Sequence, residues 1–281
     1  NSITSSWKPG VMSKAISTTA VIASLTSLRE LDLTNNKLTE PLDVSRMPNL
    51  TSLMVGSNRL VSFIEGTFTL VHLQHVDFSN NSLVCITLSS LGALVGLRSL
   101  NLSHNQLTSL PASIDSLVSI QHLDISNNQL YELPMHSFMM LTNLQSLDCS
   151  SNRILEINDN IGKVVSLRTL VCDSNRISQL PLALATLPLL HTLSAAKCDL
   201  KELPANIGDA AALRSLLLSG NMLLTELPES FYRLTNLEQL ELHGSGIVQL
   251  HPDFLNLASL QRLSVGTVQI VGTLVHVTSC C

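Results

Sequence analysis

The chain has 281 residues, of which 45% are hydrophobic, 13% charged and only 3% aromatic, with a formal net charge of −5. Without a basic excess it offers no electrostatic footprint for nucleic acid, and so apolar a chain buries too much surface to stay disordered. The longest apolar stretch, Leu180 to Leu190, is broken by Pro181 and Pro188 and falls short of the roughly 18–20 residues a membrane span needs.

In chain order, residues 1–24 precede any regular pattern. Met12, Ile16 and Ala20 fall at i, i+4 spacing with Val11 and Ala15 nearby, which predicts a short amphipathic helix covering the first repeat. Trp7, the single tryptophan, would pin that cap; an unstructured linker is the alternative. Residues 25–270 are then repetitive. Leu28, Leu50, Leu73, Leu97, Ile120, Leu144, Leu167, Leu190, Leu213, Leu237 and Leu260 recur at intervals of 22 to 24 residues. Each opens the pattern L-x-x-L-x-L-x-x-N-x-L. In the first copy this is Leu28, Leu31, Leu33, Asn36 and Leu38; in the fifth, Ile120, Leu123, Ile125, Asn128 and Leu130.

Alternation in L-x-L puts apolar side chains on one face of a short strand and polar ones on the other. One such unit cannot bury its apolar face alone, so successive units must stack around a shared core and align their strands in a parallel sheet. The ninth position is Asn36, Asn58, Asn81, Asn105, Asn128, Asn152, Asn175, Cys198, Asn221, Ser245 and Val268. An asparagine column can satisfy the backbone of adjacent turns where the strands end, and it weakens after Asn175. Five return segments begin with Leu-Pro, at Pro111, Pro134, Pro181, Pro204 and Pro228. An apolar residue follows three positions on (Ile114, Leu184, Ile207, Phe231) or four (Phe138). Proline fixes φ and stops the strand, so the chain must turn back through short helical or 3₁₀ pieces.

The pattern over residues 25–270 resembles the leucine-rich repeat superfamily. The resemblance implies an α/β solenoid: a horseshoe with a parallel β-sheet on the concave face and short helices, 3₁₀ turns and loops on the convex side. It also implies a protein–protein interaction module without catalysis, cofactor or metal. The L-P-x-x-I segments are similar to those of the intracellular subclass that includes Ras-pathway scaffolds, plant intracellular Ras-group proteins and the Erbin and Scribble type. That similarity implies a cytoplasmic scaffold or signalling role, as a monomer within a longer protein. An extracellular recognition or adhesion ectodomain is the alternative. A third reading is the substrate-recruiting domain of a kinase, cyclase or ubiquitin ligase.

Residues 271–281 are apolar and lack the polar cap that ends a solenoid, so the chain reads as part of a longer protein. Cys280-Cys281 at a true terminus would resemble a Rab-type geranylgeranylation signal. No cysteine cluster like an extracellular disulfide cap is present. Cys149 and Cys172 take core positions of adjacent repeats, Cys198 takes an asparagine position and Cys85 lies in a return loop; reduced thiols in a cytosolic protein are the simplest expectation. Sequons at Asn49, Asn80 and Asn101 stand against it, although Asn101 falls within a strand.

No nucleophile elbow, phosphate loop or zinc motif appears. His75 with Asp77, and His122 with Asp124, share strand faces two strands apart, which reads as a solvated polar surface. The third, fifth, seventh and eighth positions build the concave face. Asp32, Asp77, Asp124 and Asp148 at the fifth and Ser79, Ser103, Ser126 and Ser150 at the seventh follow the family's own L-D-L-S consensus. Departures from it are more informative. Val171, Ala196 and Leu217 replace polar residues on three successive repeats; Asp173, Ser219, Glu241 and His243 would rim them, with Ser194 also in the patch. A contiguous apolar patch on a solvent-facing sheet marks a contact surface, so these eight residues are the expected site for a protein partner. Repeat 8, with Ala195, Ala196 and Cys198, is expected to change curvature or mobility near residues 190–200, and an extra residue at Leu224 to bulge its turn.

Overall fold

The structure is a computed structural model that describes residues 25–40, 43–62, 70–86, 91 and 94–266. The expected cap helix of residues 1–24, Val268 and the ending 271–281 lie outside the described residues.

Eleven strands form one parallel sheet in strict sequence order. They are β1 Glu30–Asp32, β2 Ser52–Met54, β3 His75–Asp77, β4 Ser99–Asn101, β5 His122–Asp124, β6 Ser146–Asp148, β7 Thr169–Val171, β8 Thr192–Ser194, β9 Ser215–Leu217, β10 Gln239–Leu242 and β11 Arg262–Val265. Register follows the repeat. Leu31 faces Leu53, then Val76, Leu100, Leu123, Leu147, Leu170, Leu193, Leu216, Leu240 and Leu263. Within β1 to β9 the central residue of each strand is buried, so a single leucine spine runs along the sheet.

The convex side is built from short pieces. The segments Ala112–Ser116, Asp159–Lys163, Leu182–Thr186, Ile207–Asp209, Glu229–Arg233 and Pro252–Asn256 are 3₁₀, and α1 is a single turn, Met135–Phe138. Pro111, Pro134, Pro181 and Pro228 each cap such a piece, and Pro204, three residues before Ile207, accepts its N–H. Ile114, Phe138, Ile161, Leu184, Ile207 and Phe231 point from them into the core.

Where the strands end, the asparagines knit neighbouring rungs together. Asn128 Nδ2 donates to the Ile125 and Ser126 carbonyls of its own rung, both at 3.1 Å, and to Leu102 O of the preceding rung at 3.0 Å. Its Oδ1 accepts from Leu107 N–H at 3.0 Å. Asn58, Asn81, Asn105, Asn152 and Asn175 repeat this set. Among the described residues Asn36, on the first rung, donates only within its own turn. At rung 8 a thiol takes over, with Cys198 Sγ donating to Cys172 O at 3.3 Å. Asn221 then restores the cross-rung bonds, to Ala195 O and from Leu200 N–H. Ser245 accepts only from Ile247 N–H two residues on.

The eighth position is a column of left-handed backbone. Asn35, Ser57, Asn80, His104, Asn127, Ser151, Ser174 and Lys197 have φ between 52 and 58°, and Gly220 and Gly244 follow at 81 and 71°. Asparagine and glycine tolerate this region best, so the column is set by backbone demand as much as by any partner. Rung 8 does not break the ladder: β8 pairs over three residues on both sides, and Ala195 and Leu193 are buried like their neighbours.

Candidate functional site: the concave sheet

The L-D-L-S acids turn out to have work inside the fold. Asp32, Asp77, Asn101, Asp124 and Asp148 each accept the backbone N–H two residues on, at 2.8 to 3.0 Å. Each closes the Asx turn by which its strand leaves the sheet. At Asp32 the hydrogen bonds from Thr34, side chain first and then backbone, hold the carboxyl below its ordinary value. Asp148 goes the other way. Burial pushes its pKa up, against the Ser150 hydrogen bonds and with the like charges of Asp124 and Asp173 adding to the rise.

Rung 7 departs from this scheme because Val171 has no carboxylate to offer. Asp173 instead reaches across to the next rung. Its Oδ1 accepts Ser194 Oγ at 2.6 Å and Ala196 N–H at 2.8 Å, supplying rung 8 with the turn acceptor that Ser194 in the aspartate position does not provide. Two corrections to the sequence reading follow. Ser194 is 2% exposed and bonded to Asp173, so it is a strut of the sheet and not a partner-contacting residue. The apolar residues also do not form a continuous column: register places Ser194 between Val171 and Leu217, with Ala196 two residues further along its strand.

Val171, Leu217 and Ala196 are half-buried around Ser194; Asp173, Ser219 and Glu241 are half-buried beside them, and His243 is exposed. Glu241 is the register partner of Leu217 and accepts from Gln239 Nε2 at 2.9 Å. Seven of the eight expected residues thus share one open stretch of sheet across β7 to β10 and the turns that follow. His75–Asp77 and His122–Asp124 stand on β3 and β5 with β4 between them, and among the described residues no group of three His, Cys, Asp or Glu could hold a metal ion. No helix among the described residues is long and apolar enough to cross a membrane.

Two exposed apolar side chains on rung 9 were not anticipated from the sequence. Rung 9 carries one residue more than its neighbours, and Leu224 turns into the core, its N–H bonded to Asn221 O at 3.1 Å. Met222 and Leu223 are left outside, Met222 being 78% exposed. The signal was the triplet Met222-Leu223-Leu224 after Asn221, where other rungs place one residue before the next core leucine.

Family models for a leucine-rich repeat region match residues 69–170, and for the single leucine-rich repeat residues 27–47 and 212–234. The chain belongs to the leucine-rich repeat superfamily, whose fold typically serves as a non-catalytic module for protein–protein interaction. A leucine-rich repeat protein of Leptospira interrogans is 31% identical with a TM-score of 0.83, over 89% of this chain and 63% of that one. The leucine-rich repeat domain of the type III effector XopL is 30% identical, TM-score 0.68, over 75% and 74% of the two chains. The plant peptide hormone receptor RGFR1, solved in complex with RGF2, is 25% identical, TM-score 0.75, over 89% of this chain and 41% of the receptor. This chain therefore spans less than two thirds of the Leptospira protein and of the plant receptor. Comparison with curated proteins finds no match.

Proposed function

We propose that this leucine-rich repeat region binds a protein partner on its concave sheet, centred on rungs 7 to 10, as a scaffold or regulatory module of a longer cytoplasmic protein. The observation that carries the reading is that Val171 and Leu217 stand half-buried on the sheet where Asp77, Asp124 and Asp148 carry turn acceptors, while Asp173 closes the turn of the rung between them. Apolar residues held on a solvent-facing sheet gain from a partner's contact. The sheet, about 50 Å long at about 4.8 Å per strand, presents that contact without an ordering cost. The plant peptide hormone receptor RGFR1, solved in complex with RGF2, supports use of this fold for binding polypeptides. The Leu-Pro return segments favour the intracellular subclass. The free thiols of Cys85, Cys149, Cys172 and Cys198 fit a reducing compartment.

An affinity pull-down comparing the wild type with Val171→Asp and Leu217→Glu tests it. Loss of the same protein in both variants, with far-UV circular dichroism unchanged, is the expected result; full retention rejects the patch. The ectodomain reading has its own support: Asn49 and Asn80 are exposed, whereas Asn101 is half-buried and bonded through Oδ1 to Ser103. Glycan mass at Asn49 or Asn80 in native material would favour it over the cytoplasmic one.

A further inference from the structure

The concave sheet carries its charge unevenly. Over rungs 3 to 7 the four concave positions hold Asp77, Asp124, Asp148 and Asp173 together with His75, His104 and His122, but neither lysine nor arginine. Asp124 and Asp148 are register partners on β5 and β6, and like charges placed side by side on adjacent strands repel. Among the described residues the ion pairs are Arg214–Glu238, Arg233–Asp209 and His251–Asp253; none reaches these carboxylates. Arg98 and Arg168 stand one residue before their strands, on the exposed shoulder of the sheet. Burial first, then the neighbouring charges of Asp124 and Asp173, raise the pKa of the half-buried Asp148 above its ordinary value. Immediately beyond lies the apolar surface of Val171 and Leu217. One face therefore joins carboxylates that make no ion pair among the described residues to the half-buried apolar side chains of Val171 and Leu217.

We infer that rungs 5 to 9 take an extended polypeptide segment of a partner protein, with a basic side chain over Asp124 and Asp148 and a bulky apolar side chain over Val171 and Leu217. The inference rests on concave docking and adds the partner's chemistry. From the midpoint of β5 and β6 to β8 is two and a half strand spacings, about 12 Å. An extended chain advances about 3.3 Å per residue, so the basic and apolar residues stand three or four positions apart. Asp173, tied to Ser194 and Ala196, adds field to the site without leaving its place. An acidic segment would meet the same carboxylates as repulsion.

Dense arrays of Gly/Ser-based peptides carrying one Arg and one Leu at graded spacings, probed with the intact chain, test this. Asp124→Asn and Asp148→Asn remove charge but keep the turn, because Asn101 closes the same turn on β4 through its amide oxygen. Leu217→Ser installs the residue that β8 carries at the register partner. Binding should peak at spacings of three and four, fall about fivefold for each carboxylate removed, weaken with salt and vanish when Glu replaces Arg. Binding that survives both Asn substitutions but is lost with Leu217→Ser overturns the basic segment and leaves the apolar docking face standing. Binding unchanged in all three variants overturns both. If no Arg/Leu peptide binds the wild type at any spacing, the basic segment is wrong, and the Val171→Asp and Leu217→Glu pull-down then judges concave docking alone.

Discussion

Removing Asn128 by Asn128→Ala strips four hydrogen bonds from the middle of the ladder, but the structure limits which groups are left without a partner. Leu102 O keeps Asn105 Nδ2 at 3.0 Å, Ile125 O keeps Asn152 Nδ2 at 3.0 Å, and Ser126 O keeps His104 N–H at 3.0 Å. Only Leu107 N–H loses its acceptor, inside a core where water does not reach. One buried orphan donor costs about 1–3 kcal/mol, so the expected loss is about 2 kcal/mol. Equilibrium urea unfolding should show it as a lower midpoint at an unchanged slope. Asn36→Ala is the internal comparison. Asn36 is half-buried and among the described residues bonds to Leu33 O and Thr34 O of its own turn, so the loss there should stay below about 1 kcal/mol. Equal losses at the two positions, or a loss at Asn128 below about 0.5 kcal/mol, would refute the claim that the cross-rung acceptor is what the column contributes.

Three further outcomes follow from the same geometry. Leu147→Ala opens a cavity in the fully buried spine between Leu123 and Leu170 and should cost about 2–5 kcal/mol in the same unfolding assay. Cys198→Asn restores an amide where a thiol now reaches Cys172 O at 3.3 Å; a rise of about 1 kcal/mol is expected, and a fall would show that rung 8 is packed around sulfur. Asp148 has a folded-state pKa above the ordinary aspartate value of 3.8, so the folded state holds this proton more tightly than the unfolded chain does. Its ionisation therefore lowers stability as pH rises through that window, an effect complete at neutral pH and absent well below pH 3.8. Asp148→Asn should raise Tm at pH 7 and leave it unchanged near pH 3; a gain of equal size at both would exclude charge as the cause.

The fold was legible because each repeat must solve the same burial problem. Leucines at the first, fourth and sixth positions leave one way to stack, and that stacking dictates parallel strands in register. The asparagine column was legible for the same reason, as it marks where every strand must end. The site was less so. Whether an aspartate is a binding group or a turn acceptor depends on a backbone N–H two residues on. Whether Ser194 meets a partner or serves as a strut depends on Asp173, a contact made only once the rungs are superposed. The left-handed eighth position was written in its asparagines, serines and glycines, but its polar character reads equally well as a solvated surface. Met222 and Leu223 were hidden by a single inserted residue, which sent Leu224 inward and two apolar neighbours out.

The central claim is that the partner sits on the concave sheet. A photoreactive benzophenone side chain placed at position 217, against the same group at exposed Leu182 on the convex side, tests it most directly. The account predicts one protein adduct from position 217, absent from position 182 and lost when Val171→Asp is added. Equal adducts from both positions, or an adduct from position 182 alone, would contradict it.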